Sequence, residues 1–330
     1  MVCRRTPYLC EGDSCRIPLP GPGSPASTVC ASASCSSCSS SDCSEVSHPS
    51  AQLLLPLPAR NLHGLDGRYL GRGGTSTVWA GHYHGHAGAC AIKSMSKDHF
   101  GAQQQAYDEA KVLRSIEHPG VCKLFDTYED SDNICLVLEY IEGHELFDEI
   151  GDDMPPDESR IAEIMRQLLT TLEFCHGPEH SIVHRDIKPE NIMIMETPSE
   201  SNATAGPALQ VKLIDFGVAA KIGQEIDGVV GTRPYLPPEA LAETGFCCPS
   251  LDMWSLGVVL YACLLGELPP SGVRAGRCHL DLTDSIWDRN LVSAFARDLV
   301  AGLLQVDPAQ RLSATQALQH PWIRCAGSVS

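Results

Sequence analysis

The chain has 330 residues, room for one large domain or two. Its 24 Lys and Arg against 41 Asp and Glu leave a formal charge of −17, which excludes a phosphate-backbone binder and favours basic partners or plain solubility. No apolar run of about 18 residues and no short apolar leader occur, so neither a transmembrane segment nor a secretory signal is expected.

Residues 1–60 are rich in Ser, Pro, Gly and Cys and carry no helical or strand period. Such a segment buries too little apolar surface to offset its ordering entropy, so it is expected to be a disordered tail. Cys35 and Cys38 form a C-x-x-C without a second ligand pair at zinc-finger spacing, and Cys3 beside Arg4 and Arg5 is an alternative acylation site. The remaining cysteines are scattered and read as reduced thiols of an intracellular, cytoplasmic protein.

From about Leu62 short strand-like runs begin: Thr77–Trp79, Cys90–Ile92 and Ile134–Leu138. Between the last two, a helix is expected over Gln104–Ile116, with Ala106, Ala110, Leu113 and Ile116 on one face. After Gly143 helices dominate. Ile161–Phe174 carries a broad apolar stripe, and Leu256–Leu265 is apolar on nearly all sides, the mark of a buried helix. A strand-rich part followed by a helical part implies an α+β protein of two lobes. His82, His84 and His86 alternate as metal ligands could, but the glycines among them favour a solvated turn.

Two constellations carry chemistry. Gly71-Arg72-Gly73-Gly74 precedes Val78 between two strands, and closely spaced glycines let backbone N–H groups approach phosphate oxygens. Fifteen residues after Val78, Ala91-Ile92-Lys93 ends an apolar strand with a cation, and Glu109 on the following helix is the candidate counter-charge. The second constellation is His184-Arg185-Asp186-Ile187-Lys188-Pro189-Glu190-Asn191, then Asp215-Phe216-Gly217, then Pro237-Pro238-Glu239.

On these motifs the sequence resembles the eukaryotic protein kinases from about Leu65 to Ile323. Lys188 and Thr232 resemble the serine/threonine type. Ser76, Gly143-His144-Glu145-Leu146-Phe147 and the Asp307-Pro308…His320-Pro321-Trp322 ending look most like the calcium/calmodulin-dependent group. The resemblance implies the two-lobed kinase fold: a small β-rich N-lobe with hinge over 61–142, a mainly helical C-lobe over 143–324, and a short tail over 325–330. It implies transfer of the ATP γ-phosphoryl group to Ser/Thr hydroxyls of protein substrates, with Mg²⁺, or alternatively Mn²⁺. Asp186 would take or orient the hydroxyl proton and Lys188 would neutralise the γ-phosphate. Asn191 and Asp215 would hold metal, and Lys93, paired with Glu109, the α- and β-phosphates. Gly71, Arg72, Gly73, Gly74, Val78, Ala91 and Met193 would line the nucleotide. Leu138 would back the adenine pocket, Glu139 to Ile141 would supply hinge backbone, and Glu145 the ribose contact. Glu239 and Arg311 would form a buried ion pair.

Departures from the family pattern shape further expectations. Pro237 replaces the usual alanine, and sixteen residues between Pro270 and Trp287 leave a docking helix short or missing. Glu196–Gln210 reads as an extended hairpin loop whose Asn202-Ala203-Thr204 matches a glycosylation sequon. The sequence ends soon after Trp322, so calmodulin binding is not expected. By resemblance, Glu145 and Glu190 would meet arginines three and two residues before the phosphosite, and a second acid absent at Ala262 would weaken the latter preference. No hydroxyl lies between Gly217 and Gly231, so Asp227, or less favourably Glu225, is expected to hold Arg185 without phosphorylation. A pseudokinase acting as a nucleotide-binding scaffold is the competing reading, disfavoured because the catalytic set is complete.

Overall fold

In the computed structural model, residues 62–83, 86–150, 157–197, 208–242, 244–289 and 291–326 are described. The N-terminal segment with Cys3, Cys35 and Cys38, His84, and the Asn202–Thr204 sequon lie outside them. Five antiparallel strands open the described chain: β1 (Leu62–Arg72), β2 (Ser76–Tyr83), β3 (Ala89–Ser96), β4 (Leu124–Glu129) and β5 (Asn133–Glu139), in the order β1-β2-β3-β5-β4. The register lines up Gly71, Val78, Lys93 and Leu136 across four strands, with Ala80, Ala91 and Leu138 in the parallel row. Because successive side chains alternate, Cys90, Ile92, Cys135 and Val137 fall on the opposite face, where they form a separate apolar cluster. The period of two therefore decides that Lys93 and Ala91 share a face.

Helix α1 (Ala102–Arg114) packs Ala106, Ala110 and Leu113 against that sheet. It starts and ends two residues earlier than the apolar pattern suggests. The Ser115 N–H and hydroxyl both turn back to the Val112 carbonyl at 2.9 and 2.7 Å, which stops the helix and leaves Ile116 buried beyond it.

The second part is mainly helical. After β6 (His144–Glu145) come α2 (Glu158–His176), β7 (Ile182–Val183), β8 (Ile192–Thr197), β9 (Ala208–Leu213), β10 (Ala220–Lys221), β11 (Glu225–Asp227) and β12 (Thr244–Phe246). Then follow α3 (Ser250–Leu265), α4 (Ser271–Arg274), α5 (Ser285–Arg289), α6 (Ala294–Leu303), α7 (Ala314–Leu318) and α8 (Pro321–Ala326). The short strands form three small sheets, β6-β8-β9, β7-β10 and β11-β12. The segment read as a hairpin loop is partly strand: Glu196 and Thr197 pair with Leu209 and Ala208. Where a docking helix was expected to be short or missing, the chain forms the four-residue α4.

Helix α3 is buried from Leu251 to Leu265, five residues longer than its apolar run. Gly257 makes that burial compatible with α6: a Cβ there would lie 2.8 Å from Leu303 and 2.9 Å from Leu304, closer than side chains pack. Polar ties then fix the helices. Glu158 at the start of α2 accepts from Ser293 N and Oγ at 2.6 and 2.7 Å and from Trp322 Nε1 at 2.8 Å. Arg311, its side chain fully buried, holds Glu239 at 2.6 Å, as the resemblance implied. All nine described cysteines are free, and among the described residues no helix is long and apolar enough to cross a membrane.

Candidate active site

Lys93 is the centre of a charged cluster at the sheet's inner face. Its ammonium donates to both Glu109 oxygens and to Asp215 Oδ1, each at 2.7 Å. Burial works against the charge, but the two carboxylates outweigh it and hold the Lys93 pKa above the ordinary lysine value. Asp215 sits in the left-handed region at φ 61°, a conformation that costs free energy for a residue with a side chain. Its carboxyl stays below the usual range: burial pushes it up, and the Lys93 charge and hydrogen bond pull it down further. Gly217 follows in a tight place, since a Cβ there would lie 3.0 Å from Asp215 Oδ1 and from Gln105 Nε2.

The turn Arg72–Thr75 joins β1 to β2, with the Gly73 N–H bonded to the Ser76 carbonyl at 2.8 Å. A Cβ at Gly71 or Gly74 would meet nothing within 4 Å, so these glycines border open space, where a ligand can approach the backbone. Ala91 and Leu138 are register partners in the large sheet, and Met193 pairs with Glu145 in the sheet β6-β8-β9. Glu139 has two of its polar groups engaged within the fold. Its N–H is spent on the Lys123 carbonyl at 2.8 Å and its carboxylate accepts from Lys212 Nζ at 2.8 Å, because β5 extends through it.

Asp186 lies on the loop after β7. One carboxylate oxygen accepts from Thr232 Oγ1 at 2.6 Å; the other accepts from Lys188 Nζ at 2.7 Å and Asn191 Nδ2 at 3.1 Å. Lys188 also reaches Thr232 at 2.9 Å, and Asn191 binds the Asp186 carbonyl at 2.9 Å. The four side chains that the motifs nominated therefore form one hydrogen-bonded unit. The loop itself is held by Asp252, a fully buried carboxylate at the head of α3. It accepts from the backbone N–H groups of His184 and Arg185 at 2.8 Å each, and lies 2.8 Å from His176 Nε2. This clamp keeps Arg185 at φ 67°, a second left-handed position. The Asp186 N–H donates to His184 Nδ1 at 3.2 Å, which leaves the His184 Nε2 proton for the Ile214 carbonyl at 3.0 Å.

Of the two carboxylates expected at Arg185, the less favoured Glu225 does not hold it. The Arg185 Nε donates to the Val218 carbonyl at 2.6 Å, while Glu225 is exposed and makes no ion pair with it. The Asp227 side chain lies outside the described residues, although its backbone pairs with Thr244. Sequence reasoning did not nominate His176 or Gln105 and gave Asp252 no role in the site. A single charge heading an otherwise apolar helix is the one signal that flags Asp252, since a buried carboxylate must collect donors.

Comparison with known proteins agrees with this geometry. The protein kinase domain model matches residues 65–323. The chain is 34% identical over 281 residues to the human serine/threonine-protein kinase DCLK3, covering 81% of this chain and 41% of that protein. It is 34% identical to human calcium/calmodulin-dependent protein kinase type IV, covering 77% of this chain and 53% of the relative. It is 31% identical to myosin light chain kinase A of Dictyostelium discoideum, covering 78% and 87%. The chain spans less than half the length of the human DCLK3 relative. With the Lys93–Glu109 pair, the Asp186 unit and the Asp215 turn all in place, the chain belongs to the protein kinase family, of the serine/threonine type and similar to its calcium/calmodulin-dependent members.

Proposed function

We propose that this chain is an active serine/threonine protein kinase using ATP and Mg²⁺. The observation that carries this reading is the complete hydrogen-bonded unit Asp186–Lys188–Thr232–Asn191, together with a Lys93 already paired to Glu109 and Asp215. The oxygen donors suit a hard divalent cation: Asp215 commits one carboxylate oxygen to Lys93, and Asn191 donates through its nitrogen and keeps its carbonyl oxygen. Bound there, the metal offsets charge on the phosphate oxygens. Asp186 orients the acceptor hydroxyl and takes its proton, and Lys188 stands beside it to balance the charge of the transferring group. A degenerate peptide library incubated with Mg²⁺-ATP tests the reading. Phosphate on Ser and Thr is expected; nucleotide binding without any transfer by the wild-type chain would establish the pseudokinase instead.

The substrate preference follows from charge. Burial, then the neighbouring Asp148 and Glu190, push the Glu145 carboxyl up, and one buried oxygen of Glu190 has no hydrogen-bond partner among the described groups. A guanidinium supplies what this trio lacks, so substrates carry arginine three residues before the phosphosite and, more weakly, two before. Glu145→Gln is expected to raise the KM of an arginine-bearing peptide by about tenfold and to leave its alanine counterpart unchanged. Because the Glu145 pKa is raised, it takes up a proton earlier than an ordinary glutamate as pH falls. Arginine selectivity therefore weakens as pH drops toward the carboxylate range. Selection for acidic residues at these positions contradicts the reading.

Activity is also proposed to be independent of activation-segment phosphorylation. In place of a phosphate, β11 is pinned by main-chain pairing to β12 and the Arg185 Nε–H is held by the Val218 carbonyl. Protein made in bacteria and treated with phosphatase is expected to keep its rate, and a lost rate ends the idea. Asp227→Ala, measured alongside, decides whether that side chain contributes.

A further inference from the structure

Gln105 lies on α1 four residues before Glu109, one turn away and on the same helical face. The two side chains serve the same cleft at different heights. Glu109 holds Lys93, and through it Asp215. Gln105 reaches the other way: its Oε1 accepts from Thr75 Oγ1 at 3.0 Å, across 30 residues of chain. Its Nε2 lies against Gly217, only 3.0 Å from where a Cβ would stand. Thr75 is the residue after Gly73 and Gly74 in the β1–β2 turn, whose backbone borders the open part of the cleft. One half-buried amide thus touches the glycine-rich turn and the Asp215–Gly217 segment from a helix that also carries the partner of Lys93.

We propose that Gln105 is a positioning residue that latches the tip of the glycine-rich turn to α1. The chemistry of the side chain suits this. A carboxamide offers a carbonyl to the Thr75 hydroxyl and an amide nitrogen to the opposite side, without adding a third negative charge beside Glu109 and Asp215. A glutamate here would repel both carboxylates, and a lysine would compete with Lys93 for them. The latch makes closure of the turn and correct placement of α1 one event: a turn that opens loses its anchor on the helix, and a helix that swings away releases the turn. Nucleotide affinity is the quantity it sets, because the turn amides face the phosphates while Asp186 and the peptide groove lie elsewhere.

The inference rests on the nucleotide-site reading, so two independent measurements separate them. The first is hydrogen exchange at residues 71–77 in the nucleotide-free full chain. Gln105→Leu and Thr75→Val are expected to speed exchange there, while Thr75→Ser, which keeps the hydroxyl, retains wild-type protection. The second is binding of a fluorescent ATP analogue together with steady-state kinetics. Each of the first two variants is expected to weaken ATP about fivefold, the effect of one hydrogen bond, with the peptide KM unchanged. The double variant Thr75→Val/Gln105→Leu is expected to be no worse than either single one, since both remove the same contact. Double-variant losses that multiply overturn the latch, as does unchanged exchange in Thr75→Val. A wild-type chain that binds no nucleotide defeats the site reading, while the exchange measurement still decides the latch.

Discussion

Asp186→Asn is expected to lower turnover by roughly 10²- to 10⁴-fold, the usual contribution of a positioned acid–base group, with nucleotide affinity nearly unchanged. The asparagine keeps an acceptor for Thr232, which now bonds the carboxylate at 2.6 Å, so the loop has reason to hold its shape. What disappears is the charge that Lys188 and Asn191 surround at 2.7 and 3.1 Å and the base that receives the hydroxyl proton. Lys93, Glu109 and Asp215 are untouched by the change. A loss confined to kcat, with an unaltered ATP dissociation constant, is the result that supports the assignment. A variant with near-wild-type transfer removes Asp186 from the role given to it.

Asp252→Ala carries the second large effect, on stability as well as rate. Two backbone N–H groups and His176 donate to a carboxylate that is 0% exposed. Removing it strands buried donors, at a cost of about 3–5 kcal/mol. For a domain of this size that lowers the melting temperature by roughly 6–20 °C. The rate falls further than the stability loss explains, because Arg185 at φ 67° and Asp186 beside it lose the clamp that sets their backbone. The sign of the pH dependence is fixed. Burial pushes the Asp252 pKa up, but His176 and the His184 N–H pull it below the ordinary aspartate value. Its contribution is therefore complete above the ordinary aspartate range and is lost as pH falls through the depressed value. The gap in melting temperature between wild type and Asp252→Asn should stay constant through neutral pH and close only in strong acid. A gap that closes near neutrality identifies some other group.

Short-range patterns made the two lobes legible, and the motifs, through the family they resemble, named Lys93, Glu109, Asp186, Asn191 and Asp215. The strands β1 and β4 escaped because neither has a clean alternation. β1 reads Leu-His-Gly-Leu-Asp-Gly-Arg-Tyr-Leu-Gly-Arg, and its register with β2 slips at three places. Pairing, not side-chain preference, makes it a strand. The helix boundaries shifted for local reasons that apolar spacing does not record, such as the Ser115 turn. Glu139 illustrates a different limit. Its place in the hinge was readable, but Lys212, 73 residues away, claims its carboxylate. Asp252 and Gln105 belong to the same class: their partners come from distant segments, and only the closed fold shows which residues meet.

The buried Arg311 has a consequence for how the molecule is made. Its guanidinium spans Glu239, the Ser250 carbonyl and the Gln305 carbonyl, and it stacks over the Trp254 ring at 4.9 Å. During synthesis from the N-terminus, all the residues that touch nucleotide leave the ribosome well before Arg311 does. Until Arg311 is made, Glu239 and the Ser250 carbonyl lack the guanidinium that joins them. The Glu239 tether therefore closes late, because its partner lies 72 residues further along the chain, after every residue of the Lys93, Asp186 and Asp215 clusters has been made.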